Sequence, residues 1–151
     1  MRLSPNFTLA EAVKSQTASR QRIDNTPSAL ALIYIRKVAL CILQPVRDHY
    51  MVPISPLSWY RSPRLNAAIG SKPTSQHIKG QAVDFEVPGA ANIDVARWIE
   101  TYLDFDQLIL EFWRPDDPSA GWIHCSYVTP DINRREVLAY DGRRFTKGLP
   151  A

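Results

Sequence analysis

The run AVDFEV, Ala82 to Val87, puts a carboxylate inside what otherwise reads as a buried strand. A buried charge must be paired, hydrogen-bonded or bound to a metal, because desolvating it alone is prohibitive. Any fold this chain adopts must therefore bring partners to Asp84. The stretch TSQHIKGQAVDFEV offers one of them: His77, one of three histidines in the chain. Gly80 lies between the two and lets the backbone turn. Two readings fit this spacing. One is a turn followed by a strand with one polar face. The other is two ligands of one metal.

Zinc accepts imidazole nitrogen and carboxylate oxygen, and a catalytic site keeps one position for water, so three protein ligands suffice. His124, in GWIHCSY, is the third histidine to weigh. On a strand, Trp122, His124 and Ser126 share one face, and Ile123 and Cys125 share the other. His49, in RDHYMVP, has no such context and reads as a surface or packing histidine. A histidine and an aspartate at this spacing also arise by chance, and spacing alone leaves both readings open.

The surrounding pattern places these residues on elements. TLAE, Thr8 to Glu11, is a capping box opening a short helix, and a polar segment follows it. Thr26 and Pro27 read as the N-cap and first residue of a long helix. Leu30, Ile33, Val38, Cys41 and Ile42 are expected on its inner face. Pro45 should kink that helix or end its regular part. PISPLSWYR reads as a strand entering a functional loop, and SPRLNAAIG as a short helix closed by Gly70. Strands are expected over Gln81 to Val87, Phe105 to Trp113, WIHCSYV and EVLAYDGRRF, the last with a turn at Asp141–Gly142. A helix with Asn92 as cap fills Asn92 to Leu103. Helices first, then strands with one helix between them, predict an α+β fold: a mainly antiparallel sheet packed against N-terminal helices and one later helix.

At 151 residues the chain reads as a single domain, residues 1–151, with 45% hydrophobic and 22% charged residues. The net charge of +3 suits an anionic partner such as a cell wall. No Lys/Arg cluster with interleaved aromatics supports nucleic acid. Cys41 and Cys125 read as free thiols, without the framework of a secreted disulfide protein. No apolar run approaches the ~20 residues of a membrane span, and MRLSPNFTLAEA lacks the apolar core of a signal peptide. Synthesis in the cytoplasm, no membrane and a monomer are the resulting expectations.

Taken together, Ser75, His77, Gly80, Ala82, Asp84 and Phe85, in the pattern SxHxxGxAxDF, followed by WIHCSY, resemble the zinc D-Ala-D-Ala carboxypeptidase family. That family belongs with the lysostaphin-type endopeptidases and the hedgehog fold. WYRSPRLNAAIG and FDQLILEF also look like its small phage- and prophage-associated branch, and the likeness runs from about Leu3 to Leu138. The resemblance implies Zn2+ held by His77, Asp84 and His124. It implies hydrolysis of the peptidoglycan stem peptide, at terminal D-Ala-D-Ala or at an internal bond. It also implies action on the cell wall after release, as in phage lysis or entry.

Peptide hydrolysis needs a carboxylate that takes a proton from water and passes it to the leaving amine. Glu111, ending the apolar strand DQLILE, is the first candidate, because its strand should lie beside that of His124. The bland alternative is an edge carboxylate paired with Arg114. Several relatives carry the acid three residues before the last histidine, where this chain has Gly121. Asp116 and Asp117 are the runners-up. In the resemblance, an arginine at the place of Arg61 binds a substrate carboxylate or the developing oxyanion, which a permanently charged guanidinium suits. Ser75 and Gln76 are candidates for substrate binding, and Trp122 for the wall of the cleft. A Cys125–His124 nucleophile pair is excluded, since adjacent strand residues face opposite ways. The rival to an enzyme is a zinc-containing binding or phage structural module of the same fold.

Overall fold

The computed structural model describes residues 1–151. Thr8 and Glu11 make the expected capping box, and helix α1 (Leu9–Ala12) follows. The polar segment after it is not featureless. Ser15 accepts a hydrogen bond from the Ala18 amide and starts a second helix, α2 (Gln16–Gln21). It ends at Arg22 in the left-handed region.

Helix α3 (Ala29–Val38) is capped by Ser28 rather than Thr26, because the Ser28 hydroxyl accepts from the Ala31 amide. Its buried face is Ala31, Ile35 and Val38. Leu30 and Ile33, expected inside, are 63% and 54% exposed. The loop carrying His77 seats directly on this face, against the Ala31 backbone and the Ile35 side chain. A Cβ on Gly80 would lie 2.6 Å from the Ala31 carbonyl oxygen, so this approach requires glycine.

Pro45 does not stop the helix. A π-helical turn (Ala39–Leu43) precedes it, in which the Gln44 amide bonds the Ala39 carbonyl five residues back. Proline lacks an N–H and crowds the carbonyl four residues back, and the widened turn relieves both problems. Helix α4 (Gln44–Tyr50) continues from there. The resulting helix, Ala29–Tyr50, has the length and apolar composition to cross a membrane. The expectation that no segment would is thereby corrected: Arg36 and Lys37 interrupt the apolar run in sequence but not the helix. Its face carrying Ile35, Val38, Ala39, Ile42, Leu43 and Val46 belongs to the central core.

PISPLSWYR is extended, but joins the sheet by only a single bridge between Ser58 and Asp84. Pro53 and Pro56 remove the donors that a full strand would need. Helix α5 (Pro63–Ala68) is capped by Ser62 as expected. A 3-10 turn (Gln76–Lys79) carries His77. Helix α6 (Asn92–Tyr102) has Ala91 at its cap position. Asn92 is instead buried inside the first turn, where its amide donates to Glu86 and to the Ala120 and Gly121 carbonyls.

The strands β1 (Ala82–Phe85), β2 (Gln107–Glu111), β3 (Trp122–Ser126), β4 (Glu136–Tyr140) and β5 (Phe145–Lys147) form one sheet in the order β1-β3-β2-β4-β5. Every pairing is antiparallel except β2 with β4. The fold is α+β. Val83, Phe85, Leu108, Leu110, Ile123 and Cys125 are fully buried on one face and belong to the same core as α3 and α6. Each large apolar side chain there contributes about 2–3 kcal/mol. The other face carries Asp84, His124, Ile109, Glu111 and Trp122, as the register requires.

Candidate metal centre

Register assembles the site. Asp84 on β1 lies opposite His124 on β3, and β2 brings Ile109 opposite His124 and Glu111 opposite Trp122. The Gln76–Lys79 turn lowers His77 onto the same place. The ligand atoms of His77, Asp84 and His124 all lie within 4.8 Å of one another, and all three residues are buried. His124 Nδ1 is 2.9 Å from Asp84 Oδ1, and His77 Nε2 is 3.3 Å from Asp84 Oδ2.

The tautomer of His77 makes this cluster informative. Its Nδ1 lies 2.6 Å from the Trp59 carbonyl oxygen. A carbonyl only accepts, so Nδ1 must hold the proton. In neutral His77 the Nε2 lone pair then faces a carboxylate oxygen. Burial pushes the His77 pKa below its ordinary value, although Asp84 pulls the other way. Burial also opposes ionisation of Asp84, but His77 and His124 outweigh it and hold its pKa far below the usual carboxylate range. Two acceptors aimed at one point, with protonation of one disfavoured, form a place that a cation could occupy. The donor set, two imidazoles and one carboxylate, fits zinc. The Trp59 carbonyl is the kind of outer partner that fixes a metal-binding histidine.

Arg61 reaches the cluster from the extended segment. Its Nη2 is 3.5 Å from Asp84 Oδ2. Its Nε donates to Ser58, and its Nη1 donates to Asn66 and Ser71. These four contacts fix the plane of the guanidinium beside the carboxylate. Glu111 is partly exposed at the rim. Burial and then the charge of Asp84 raise its pKa, while His124 and Arg61 lower it. It makes no ion pair with Arg114. That arginine pairs instead with Asp116 and Asp117, whose exposed side chains stay in their own loop.

Gly121 shows why no acid stands three residues before His124. It has φ +76°, and a Cβ there would overlap the Glu111 carbonyl oxygen. Only glycine fits, and the carboxylate on the opposing strand is Glu111 itself.

Ser75 and Gln76, weighed as substrate-binding residues, have structural partners. Ser75 accepts from the His77 amide, and the Gln76 amide donates to Asp106 at 2.9 Å. Trp122 packs its ring against Phe112 at 5.0 Å. His49 stacks on Trp98 at 4.4 Å, as a packing histidine. Cys41 and Cys125 are both free thiols. The Trp59 carbonyl and the Ser58, Asn66 and Ser71 anchors of Arg61 escaped sequence reading. A backbone acceptor carries no side-chain signature, although WYRSPRLN holds two of the four, Trp59 and Asn66.

The peptidase M15 family model matches residues 5–126. The chain belongs to the peptidase M15 family. A search of curated proteins returns no match. Family membership makes the chain a metallopeptidase, and its buried His–Asp–His cluster can hold the metal. The M15 match runs from the start of the capping-box segment to the end of β3, so it spans His77, Asp84, His124, Arg61 and Glu111. Strands β4 and β5 lie beyond it.

Proposed function

We propose that this M15 peptidase is a zinc-dependent hydrolase of peptide bonds in bacterial peptidoglycan, and that His77, Asp84 and His124 are its zinc ligands. The observation that carries the reading is the buried cluster, in which His77 Nε2 stands 3.3 Å from the Asp84 carboxylate while its Nδ1 faces a backbone carbonyl. When bound, zinc supplies a Lewis acid for the scissile carbonyl and lowers the pKa of water.

The residues around it divide the remaining work. Glu111 accepts the proton of the attacking water and delivers it to the leaving amine. Its pKa, raised by burial and by the charge of Asp84, suits a group that must both take and release a proton. Arg61, held by three hydroxyl or amide oxygens, presents its charge to the substrate carboxylate or to the oxyanion of the tetrahedral intermediate. Trp122 walls the cleft on the face shared with His124. Ser75 and Gln76 position the His77 turn.

The chain works as one domain and as a monomer in this reading. The resemblance to the phage-associated branch supports a lysis or entry role at the host wall, and the net charge of +3 assists approach to an anionic wall. Digestion of purified peptidoglycan, with zinc and then with chelator, tests the proposal. The expected result is new peptide fragments that chelator abolishes. Their masses separate loss of a terminal D-Ala from an internal cut. Zinc-loaded protein that releases no fragment would instead favour a binding module of the same fold.

A further inference from the structure

The arginine beside Asp84 also lines a groove. This groove, about 440 Å³, runs along α2 and the extended segment, and Arg61 and Ser58 belong to its lining. Lys14 and Arg20 line it too, and no aspartate or glutamate does. Both are exposed, and neither is among the ion pairs or side-chain hydrogen bonds of the protein. The rest of the lining includes exposed Leu57 and Ile69. The groove thus combines two unpaired cations with apolar side chains and leads to a guanidinium 3.5 Å from Asp84.

Unpaired cations along one groove attract an anionic partner, and the attraction grows where low-dielectric walls focus the field. Aliphatic residues beside them suit a short peptide with alkyl side chains better than a bare ion. We propose that this groove is a substrate subsite that selects peptides bearing a free carboxylate away from the scissile bond, with Lys14 and Arg20 as its specificity-determining residues. This rests on the peptidase reading above. It commits the substrate to enter past α2, so that one carboxylate lies between Lys14 and Arg20 while the scissile carbonyl reaches Arg61 and the metal ligands.

The test uses the full-length zinc-loaded protein and synthetic stem peptides in which each carboxylate in turn is free or amidated. Both cleavage rate and equilibrium binding are measured, binding by fluorescence polarisation of labelled peptide. For one position, the wild type should favour the free acid at least tenfold in binding and in kcat/KM. The preference should weaken as salt rises. The K14Q/R20Q variant should bring the ratio close to one. The control R143Q/R144Q, which removes the same charge from exposed positions elsewhere, should keep the wild-type ratio. An unchanged preference in K14Q/R20Q, or an equal loss in the control, overturns the subsite. Discriminating binding without cleavage leaves the subsite standing and defeats the hydrolase reading. Cleavage without carboxylate preference does the reverse.

Discussion

Two aspartates are buried in this protein, and they are held in opposite ways. Asp106 is 2% exposed and Asp84 is 9% exposed. Asp106 receives the Gln76 amide at 2.9 Å, the Arg134 backbone amide and Nε at 3.0 Å, and Arg134 Nη2 at 2.7 Å. Burial works against its charge, but these donors hold its pKa below the ordinary value. All of them carry their protons at any physiological pH, so Asp106 locks the start of β2 to the turn that bears His77. Asp84 faces imidazoles instead, one of which has already used its proton on a backbone carbonyl. The first arrangement is complete within the protein. The second can hold a metal ion. A buried carboxylate is thus a poor guide to function until its donors are counted.

The sharpest way to break this comparison is to neutralise each aspartate in turn. Asp84→Asn should lower peptidoglycan hydrolysis by about a thousandfold or more, since it removes the proposed carboxylate ligand and its charge. Asp106→Asn should leave hydrolysis within about tenfold, measured on the same wall preparation with zinc supplied. Equal losses in the two variants would erase the distinction. Next in size is Glu111→Gln, which should cost roughly a hundredfold to ten-thousandfold in rate while metal content stays at the wild-type level.

On stability the order reverses in metal-free protein. Asp106→Ala should cost about 2 kcal/mol in urea melts, because it leaves the Gln76 amide and the Arg134 backbone amide without their acceptor. The same melts can be read against pH. The folded pKa of His77 is depressed below 6.5, so its contribution is present above that value and is lost as pH falls through the folded pKa. The folded pKa of Asp106 is depressed below 3.8, so its contribution is lost only in the acid below that value. Two separate declines are expected, and Asp106→Ala should shrink only the lower one, which Asp84 shares. Smallest is Thr8→Ala, which loses the capping box of α1 and should cost about 1 kcal/mol, with no change in metal content.

The parts of the fold legible in the sequence were those written in local chemistry. The Thr8–Glu11 box, the Ser62 cap and the strands around Asp84, Glu111 and His124 form where turn and cap residues place them, and the helix from Asn92 forms as expected but without Asn92 as its cap. The errors came where tertiary packing overruled pattern. Leu30 and Ile33 look like core residues, but the close seat of Gly80 on Ala31 turns α3 so that they face out. The regular α-helix does end ahead of Pro45 as expected, but the chain stays helical through it by a π turn that no composition announces. In the site, the three ligand candidates and Arg61 were visible because rare side chains fall into a quotable pattern. What Ser75 and Gln76 bind was not, because a capping hydroxyl and a substrate-binding hydroxyl have the same sequence. The exclusion of any side chain at Gly121 also appears only when β2 and β3 are laid side by side.

The central claim is that the convergence of His77, Asp84 and His124 exists to hold zinc. Metal content per chain, measured by inductively coupled plasma mass spectrometry after dialysis, tests it most directly in wild type, His77→Ala, Asp84→Asn and Asp106→Asn. One zinc per chain in the wild type and in Asp106→Asn, with none in the other two, is the predicted result. Wild-type protein that stays metal-free in a zinc-replete buffer, or an Asp84→Asn variant that keeps its zinc, would contradict it.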